Sequence, residues 1–371
     1  MLSEPVQLKH ALRPANDSER FFFRQLLNTL IRVDCRGTVR PGLAESWNQD
    51  DKGRIWTLSL REDARLPGGM PVDPVQVASL LDGPKGKAAG IDSVANLDQR
   101  QVRLYLDQTH DTVPTVLADP ALALLEELAS ADDPVRRFDI PAQDGRPFIR
   151  VEVAPTRDLR DAIDRGVGLV ITRDPSVVEY VAHRPDYVTY PLPWNLTYVL
   201  LQPAGAPPLG PVLERDSLRQ SLARDAVRAE ARPAEGPFWW DSVGGCLSQS
   251  AENRDATSSR IVYPAGDQVA RGLAERIVAL SGDSRLSAAS LSPDDFGAAL
   301  RRQADRAYVL PVPRQTLSPC REAAGWPPGS AIQPLIGTRA TAVVHRGSPA
   351  LGIDWDGVVR VLDDSESSEQ R

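Results

Sequence analysis

Few side chains in this sequence have the types and spacing that catalysis needs. The four histidines, His10, His110, His183 and His345, stand without a nucleophile at a motif spacing, and no H-E-x-x-H, G-x-S-x-G, Walker loop or G-x-G-x-x-G occurs. Gly42-Leu43-Ala44-Glu45-Ser46 has the wrong order for a nucleophile elbow. Cys35, Cys246 and Cys320 show neither metal-ligand spacing nor a C-x-x-C pair. No catalytic residue, no metal site and no cofactor are therefore expected. Binding chemistry is better represented. Phe238-Trp239-Trp240-Asp241, between Gly236 and Gly244-Gly245, is the densest aromatic cluster of the chain. Trp239, Trp240 and Asp241 can hold a ligand with a cationic or planar group, or they form a loop tucked onto its own domain. Arg314, Arg321 and Trp326 can hold an anionic or carboxylate-bearing ligand; the alternative is that they are surface residues.

The elements that would position such groups can be read from periodicity. Trp56, Leu58 and Leu60 alternate with Ile55, Thr57 and Ser59, the period of a strand with two different faces. Polar residues 48–53 make a hairpin loop before it. Pro67-Gly68-Gly69 forces a turn after it, and Asp73 with Pro74 reads as an N-cap and first helical position. Ser18 is a candidate N-cap for an apolar stripe from Phe21 to Ile31. Residues 93–106 read as a hairpin, 113–128 as an apolar helical stretch interrupted by Asp119-Pro120, 129–147 as a polar loop, and 148–153 as a strand. From 259 to 312 the order is strand, helix, strand, helix, strand, which predicts a three-layer α/β unit with parallel strands. Gly352 to Leu362 reads as a last hairpin turning at Asp356-Gly357, and residues 363–371 as an acidic, serine-rich tail.

The order of signals resembles solute-binding protein family 5, the oligopeptide-, dipeptide- and nickel-type receptors of ABC importers. Pro41, Leu43, Ala44, Glu45, Ser46, Trp47, Trp56, Thr57, Leu60, Arg61, Gly69, Pro71, Val72 and Val77 stand in the places of that family's long N-terminal run. Asp216 to Arg224 is similar to the helix that opens its second lobe, and Ile332 to Gly347 to its closing segment. There are departures: Leu66 stands for the family's aromatic, Leu27 to Leu30 replace its Y-E-x-L element, and the Asp pair of its C-terminal ligand loop is missing.

The resemblance implies an α/β, two-lobed periplasmic-binding-protein-like fold (type II, cluster C-like) with hinge strands between the lobes. Residues 1–202 plus 331–371 would form the first lobe, with a reduced extra subdomain at about 46–140, and residues 203–330 the second. It implies a solute-binding protein of an ABC-type importer for peptides or a similar small polar solute, held in the interlobe cleft, and no enzyme. The strand following Trp194 is one hinge of that cleft, so Trp194, Asn195 and Tyr198 are candidates for facing ligand; lobe packing is the alternative for Trp194 and Tyr198. The implied partners are the small-molecule or peptide ligand and, if the protein is exported, an ABC permease, with the protein itself a monomer.

Composition fits. The 371 residues carry 42% hydrophobic and 25% charged residues and a net charge of -7, ordinary for a soluble globular chain and without the basic footprint nucleic acid requires. The first twenty residues lack the basic start and apolar core of a signal peptide. The location is thus periplasmic or extracellular if a signal precedes this chain, cytoplasmic if it does not. The leftover cysteine suits the second case, in which a cytoplasmic ligand-sensing domain of a transcriptional regulator is the alternative function.

Overall fold

The computed structural model describes residues 1–12, 14–50, 52–66, 69–124, 134–142, 147–154, 158–206, 209, 231–233, 259–303, 305–314 and 330–362. The chain divides into two compact units, Met1–Ile171 with Val344–Arg371, and Thr172–Val343. Trp239, Trp240, Asp241, Arg321 and Trp326 lie outside the described residues, as does the helix expected at 216–224.

In the first unit, α1 (Asp17–Leu26) is capped by Asn16, whose side chain accepts from the Glu19 amide. The cap is two residues ahead of Ser18, and the helix stops at Leu26, with Ile31 already in strand β1 (Ile31–Val33), paired to β2 (Val39–Pro41). Phe21, Phe22, Phe23 and Leu26 are buried, and Phe22 meets Phe23 and Phe138 edge-on at 5.2 Å. Next come β3 (Ala44–Gln49), β4 (Ile55–Leu60), α2 (Pro74–Asp82), α3 (Pro84–Ala88), β5 (Ile91–Asn96) and β6 (Gln101–Leu106). The four strands form an antiparallel sheet in the order β3-β4-β6-β5. Trp56 opposes Leu104 and Leu58 opposes Val102. This register puts every buried alternate residue on one face, where Val77 and Leu81 of α2 are also buried. Asp73 and Gln76 complete a capping box at the start of α2.

Gly42 explains part of the run from Pro41 to Trp47. Leu43 and Ala44 donate to the Thr29 and Leu30 carbonyls at 2.9 Å. A Cβ on Gly42 would sit 2.4 Å from the Thr29 oxygen. Gly42→Ala is expected to destabilise by about 2 kcal/mol, as overpacking against backbone does; a urea midpoint unchanged from the parent would contradict this.

Two expectations for this unit need correction. Residues 113–124 form 3₁₀ turns at Thr115–Ala118 and Pro120–Leu122 rather than an α-helix, because Pro120, six residues after Pro114, has no amide with which to continue a helix begun at Thr115. The polar segment before Pro147 contains a strand, β7 (Arg137–Ile140), paired antiparallel with β8 (Ile149–Glu152). Its phase was masked by charge, since Arg150 binds Asp139 across the pair at 2.9 Å. Then follow α4 (Leu159–Asp164) and β9 (Leu169–Thr172), the strand on which the chain passes into the second unit.

The second unit holds α5 (Pro175–Ala182), β10 (Tyr187–Pro191), β11 (Leu196–Gln202), β12 (Ala231–Pro233), β13 (Arg260–Pro264), α6 (Gln268–Ser281), β14 (Ser287–Leu291), α7 (Pro293–Arg302), β15 (Ala307–Pro313) and β16 (Ala331–Thr338). Its main sheet has the order β12-β16-β11-β15-β13-β14. β13 runs parallel to β14 and β15, while β11 is antiparallel to β15 and β16. The expected parallel strands are present, inside a mixed sheet. Ala270, Leu273, Ala274 and Ile277 of α6 pack with Tyr198, Leu200 and Ile261. Phe296 of α7 packs with Leu201, Val262 and Tyr308 on the opposite face. Alternation along β11 and β13 feeds both cores, giving helix, sheet and helix in three layers.

The chain returns to the first unit on β17 (Thr341–His345) and ends its described part in the hairpin β18 (Leu351–Ile353) and β19 (Val359–Val361). α1 holds this hairpin. Gln25 donates to the Val359 carbonyl at 2.8 Å and accepts from the Val361 amide at 2.9 Å.

Candidate ligand-binding site

β11, β15 and β16 are neighbouring strands, and their register decides what meets at one end of the sheet. Leu196 opposes Pro313 on one side and Thr338 on the other. The residues just outside those positions are therefore brought together: Trp194 and Asn195 before β11, Arg314 after β15, Arg339 after β16. The Asn195 carbonyl accepts from the Arg314 amide at 2.9 Å. Arg173, directly after β9, joins them from within the second unit. It donates to the Asn195 side-chain oxygen at 3.4 Å and to the Thr338 hydroxyl at 3.0 Å. The Arg339 guanidinium lies over the Trp194 ring, 4.7 Å from its centroid.

This is the end at which the parallel strands β13 and β15 terminate, where ligands of open α/β sheets bind. Asp174 accepts from the Ser176 amide at the start of α5. Asp267 caps α6 through the Ala270 amide. The three guanidiniums carry a permanent charge, and Trp194, Asn195, Arg173, Arg314 and Arg339 are all half-buried. The arrangement can hold a carboxylate by charge-assisted, bidentate hydrogen bonds and can stack a planar or apolar group on the indole.

Trp194, Asn195 and Arg314 are thus placed together. Tyr198 is not placed with them. Its ring is 3% exposed in the core under α6, and its hydroxyl donates to Asp267 at 3.0 Å. The structure gives it the packing role, because alternation along β11 turns it toward α6. Thr197, on the opposite face of the same strand, is fully buried with no hydrogen-bond partner for its hydroxyl among the described residues. Arg173, Thr338 and Arg339 were not anticipated. Each stands at or just past the carboxyl end of an apolar strand, a position that marks Arg173 and Arg339 out from the many other arginines.

Among the described residues no group of histidine, cysteine, aspartate or glutamate could hold a metal ion, and no helix is long and apolar enough to cross a membrane.

The architecture is that of the periplasmic binding proteins. OppA of Listeria monocytogenes bound to peptide matches with a TM-score of 0.64 at 11% identity, covering 98% of both chains. The PBP/SBP MoaA from A.tumefacien R10 in complex with mannopinic acid matches with a TM-score of 0.63 at 15% identity, covering 93% of both. By sequence, the nickel-binding periplasmic protein of Escherichia coli (strain K12) is 28% identical over 96 residues, 26% of this chain and only 16% of that protein's length. No protein-family model matches. The partial sequence matches are thus to nickel- and oligopeptide-binding proteins of solute-binding protein family 5, and the fold of such proteins is matched over nearly the whole chain. That is a family of solute-binding proteins rather than enzymes.

Proposed function

We propose that this chain is the substrate-binding protein of an ABC-type importer, and that it binds a peptide or similar small polar solute through a carboxylate. The observation that carries the ligand chemistry is the convergence of Arg173, Arg314 and Arg339 with Trp194 and Asn195 at the end of the sheet. The relatives bind peptides, mannopinic acid or nickel, all solutes small enough for one such site. The partner is a permease that recognises the loaded form, which ligand favours only by its differential affinity. The relatives' periplasmic location is the setting this reading assigns to the protein.

Thermal unfolding of the full chain against dipeptides, tripeptides, mannopinic acid and nickel–histidine tests the proposal, because a ligand stabilises the form that binds it. A carboxylate-bearing solute is expected to raise the midpoint, and its amidated analogue to do so far less. Arg173→Ala is expected to weaken binding roughly tenfold or more by calorimetry, the usual loss for a hydrogen bond to a charged group. Equal binding of acid and amide, or no response to any of these solutes, would overturn the assignment.

A further inference from the structure

An open groove of about 470 Å³ lies at one end of the four-stranded sheet of the first unit, lined by none of the residues that the solute-binding reading uses. Its walls are residues 72–75 at the start of α2 and Asn96, Asp98 and Gln99 at the β5–β6 turn. Three of the five large apolar side chains that are exposed among the described residues stand on it or within two residues of its wall: Val75 at 57%, Leu97 at 41% and Met70 at 48%. Exposed apolar surface is therefore concentrated here. Asp73 accepts from the Val75 amide, and Asp98 from the Arg100 and Gln101 amides. Each does so through one oxygen only, and neither carboxylate pairs with a basic side chain among the described residues. No lysine or arginine lines the groove.

The strand that borders the groove is an edge. β5 is outermost in the order β3-β4-β6-β5. Leu97 donates to the Gln101 carbonyl, and the ladder then opposes Ala95 to Arg103 and Ser93 to Tyr105. Alternation in an antiparallel pair turns the amides and carbonyls of Val94 and Asn96 away from β6, toward the open edge. Such an edge is a template for a further extended segment. A segment added there runs past the groove, where Asp73 and Asp98 favour basic side chains over acidic ones and Val75 and Leu97 offer apolar surface between them. From the groove, its two carboxylates and the open edge of β5, we infer that this is a docking site for an extended segment of a protein partner, rich in basic and apolar side chains, which adds a strand to β5. A contact of this size suits a transient association rather than a permanent one.

The test uses the full chain and the peptide acetyl-Lys-Val-Lys-Val-Lys-amide, which carries no carboxylate for a guanidinium to hold. Calorimetry is expected to show saturable binding that weakens as salt is raised, because the charges involved are exposed. Hydrogen exchange is expected to show the Val94 and Asn96 amides gaining protection when the peptide is present. Asp73→Asn combined with Asp98→Asn keeps the acceptors that cap α2 and the turn, and is expected to weaken binding about fivefold, the worth of two exposed charge pairs. No saturable binding, equal affinity for acetyl-Ser-Val-Ser-Val-Ser-amide, unchanged affinity in the double variant, or protection gained only outside β5 would each overturn the inference. So would a concentration-dependent dimer of the chain alone that protects the same two amides, since the occupant would then be a second copy. None of these measurements involves the imported solute.

Discussion

Asp354→Ala is expected to lower the stability of the protein by about 3–5 kcal/mol, the cost of breaking a buried ion pair by removing one partner. Asp354 is 8% exposed and accepts from both Arg24 and Arg360. Arg24 retains Asp356 in the variant. Arg360, itself buried, loses the only carboxylate it pairs with among the described residues. The charge that remains has no carboxylate partner among the described residues. The same geometry predicts a dependence on pH. Burial opposes ionisation of Asp354, but the charges of Arg360 and Arg24 outweigh it and hold the carboxyl below its ordinary range. A carboxyl depressed in the folded state contributes stability that is present above its unfolded pKa of about 4 and is lost as pH falls through the folded value. Urea denaturation between pH 3 and 7, scanned at about one-unit steps, should therefore show the parent losing part of its advantage over Asp354→Ala at the acid end. A variant within about 1 kcal/mol of the parent at neutral pH would mean that the network does not hold the hairpin.

Glu19→Ala is expected to cost about 2–3 kcal/mol, because one buried carboxylate serves several donors whose loss is felt individually. Glu19 is 1% exposed. One oxygen accepts from the Gln7 amide at 2.9 Å and lies 2.8 Å from His10 Nδ1; the other accepts from the Ala15 amide at 2.6 Å. The residue thereby fastens the segment before α1 onto the helix. Glu19→Gln keeps an acceptor for one amide and should fall between the parent and the alanine variant. Hydrogen exchange gives the local reading, since the Gln7 amide should lose its protection in Glu19→Ala while the β4 amides keep theirs. Unchanged protection at Gln7 would assign the anchoring to other contacts.

The polarity pattern of short segments by itself determined much of the local architecture. Alternation placed β4 at Ile55–Leu60 with its buried face correct. Proline after aspartate placed the start of α2 at Pro74, and Asp356-Gly357 placed the last turn. These features depend on residues within one or two turns of chain, so they can be read without knowing the fold. The same pattern misread 113–124, where apolarity spoke for a helix and two prolines prevented one. It also passed over β7, whose strand phase lay under charged residues.

The binding site was legible only in part, for a physical reason. Trp194, Asn195 and Arg314 are singled out by sequence, whereas Arg173 and Arg339 are set apart from the other arginines of an arginine-rich chain only by following an apolar strand. What selects them is long-range strand register. Opposing Leu196 to Thr338 and Pro313 brings the ends of three distant segments to one place, and alternation turns Tyr198 away from it toward α6. The arginine and aspartate cluster of the first unit is of the same kind, since nothing near Arg24 announces Asp354. Periodicity encodes which face of an element is buried; which ends of elements coincide is decided by pairing between remote segments, and there only the tertiary structure speaks.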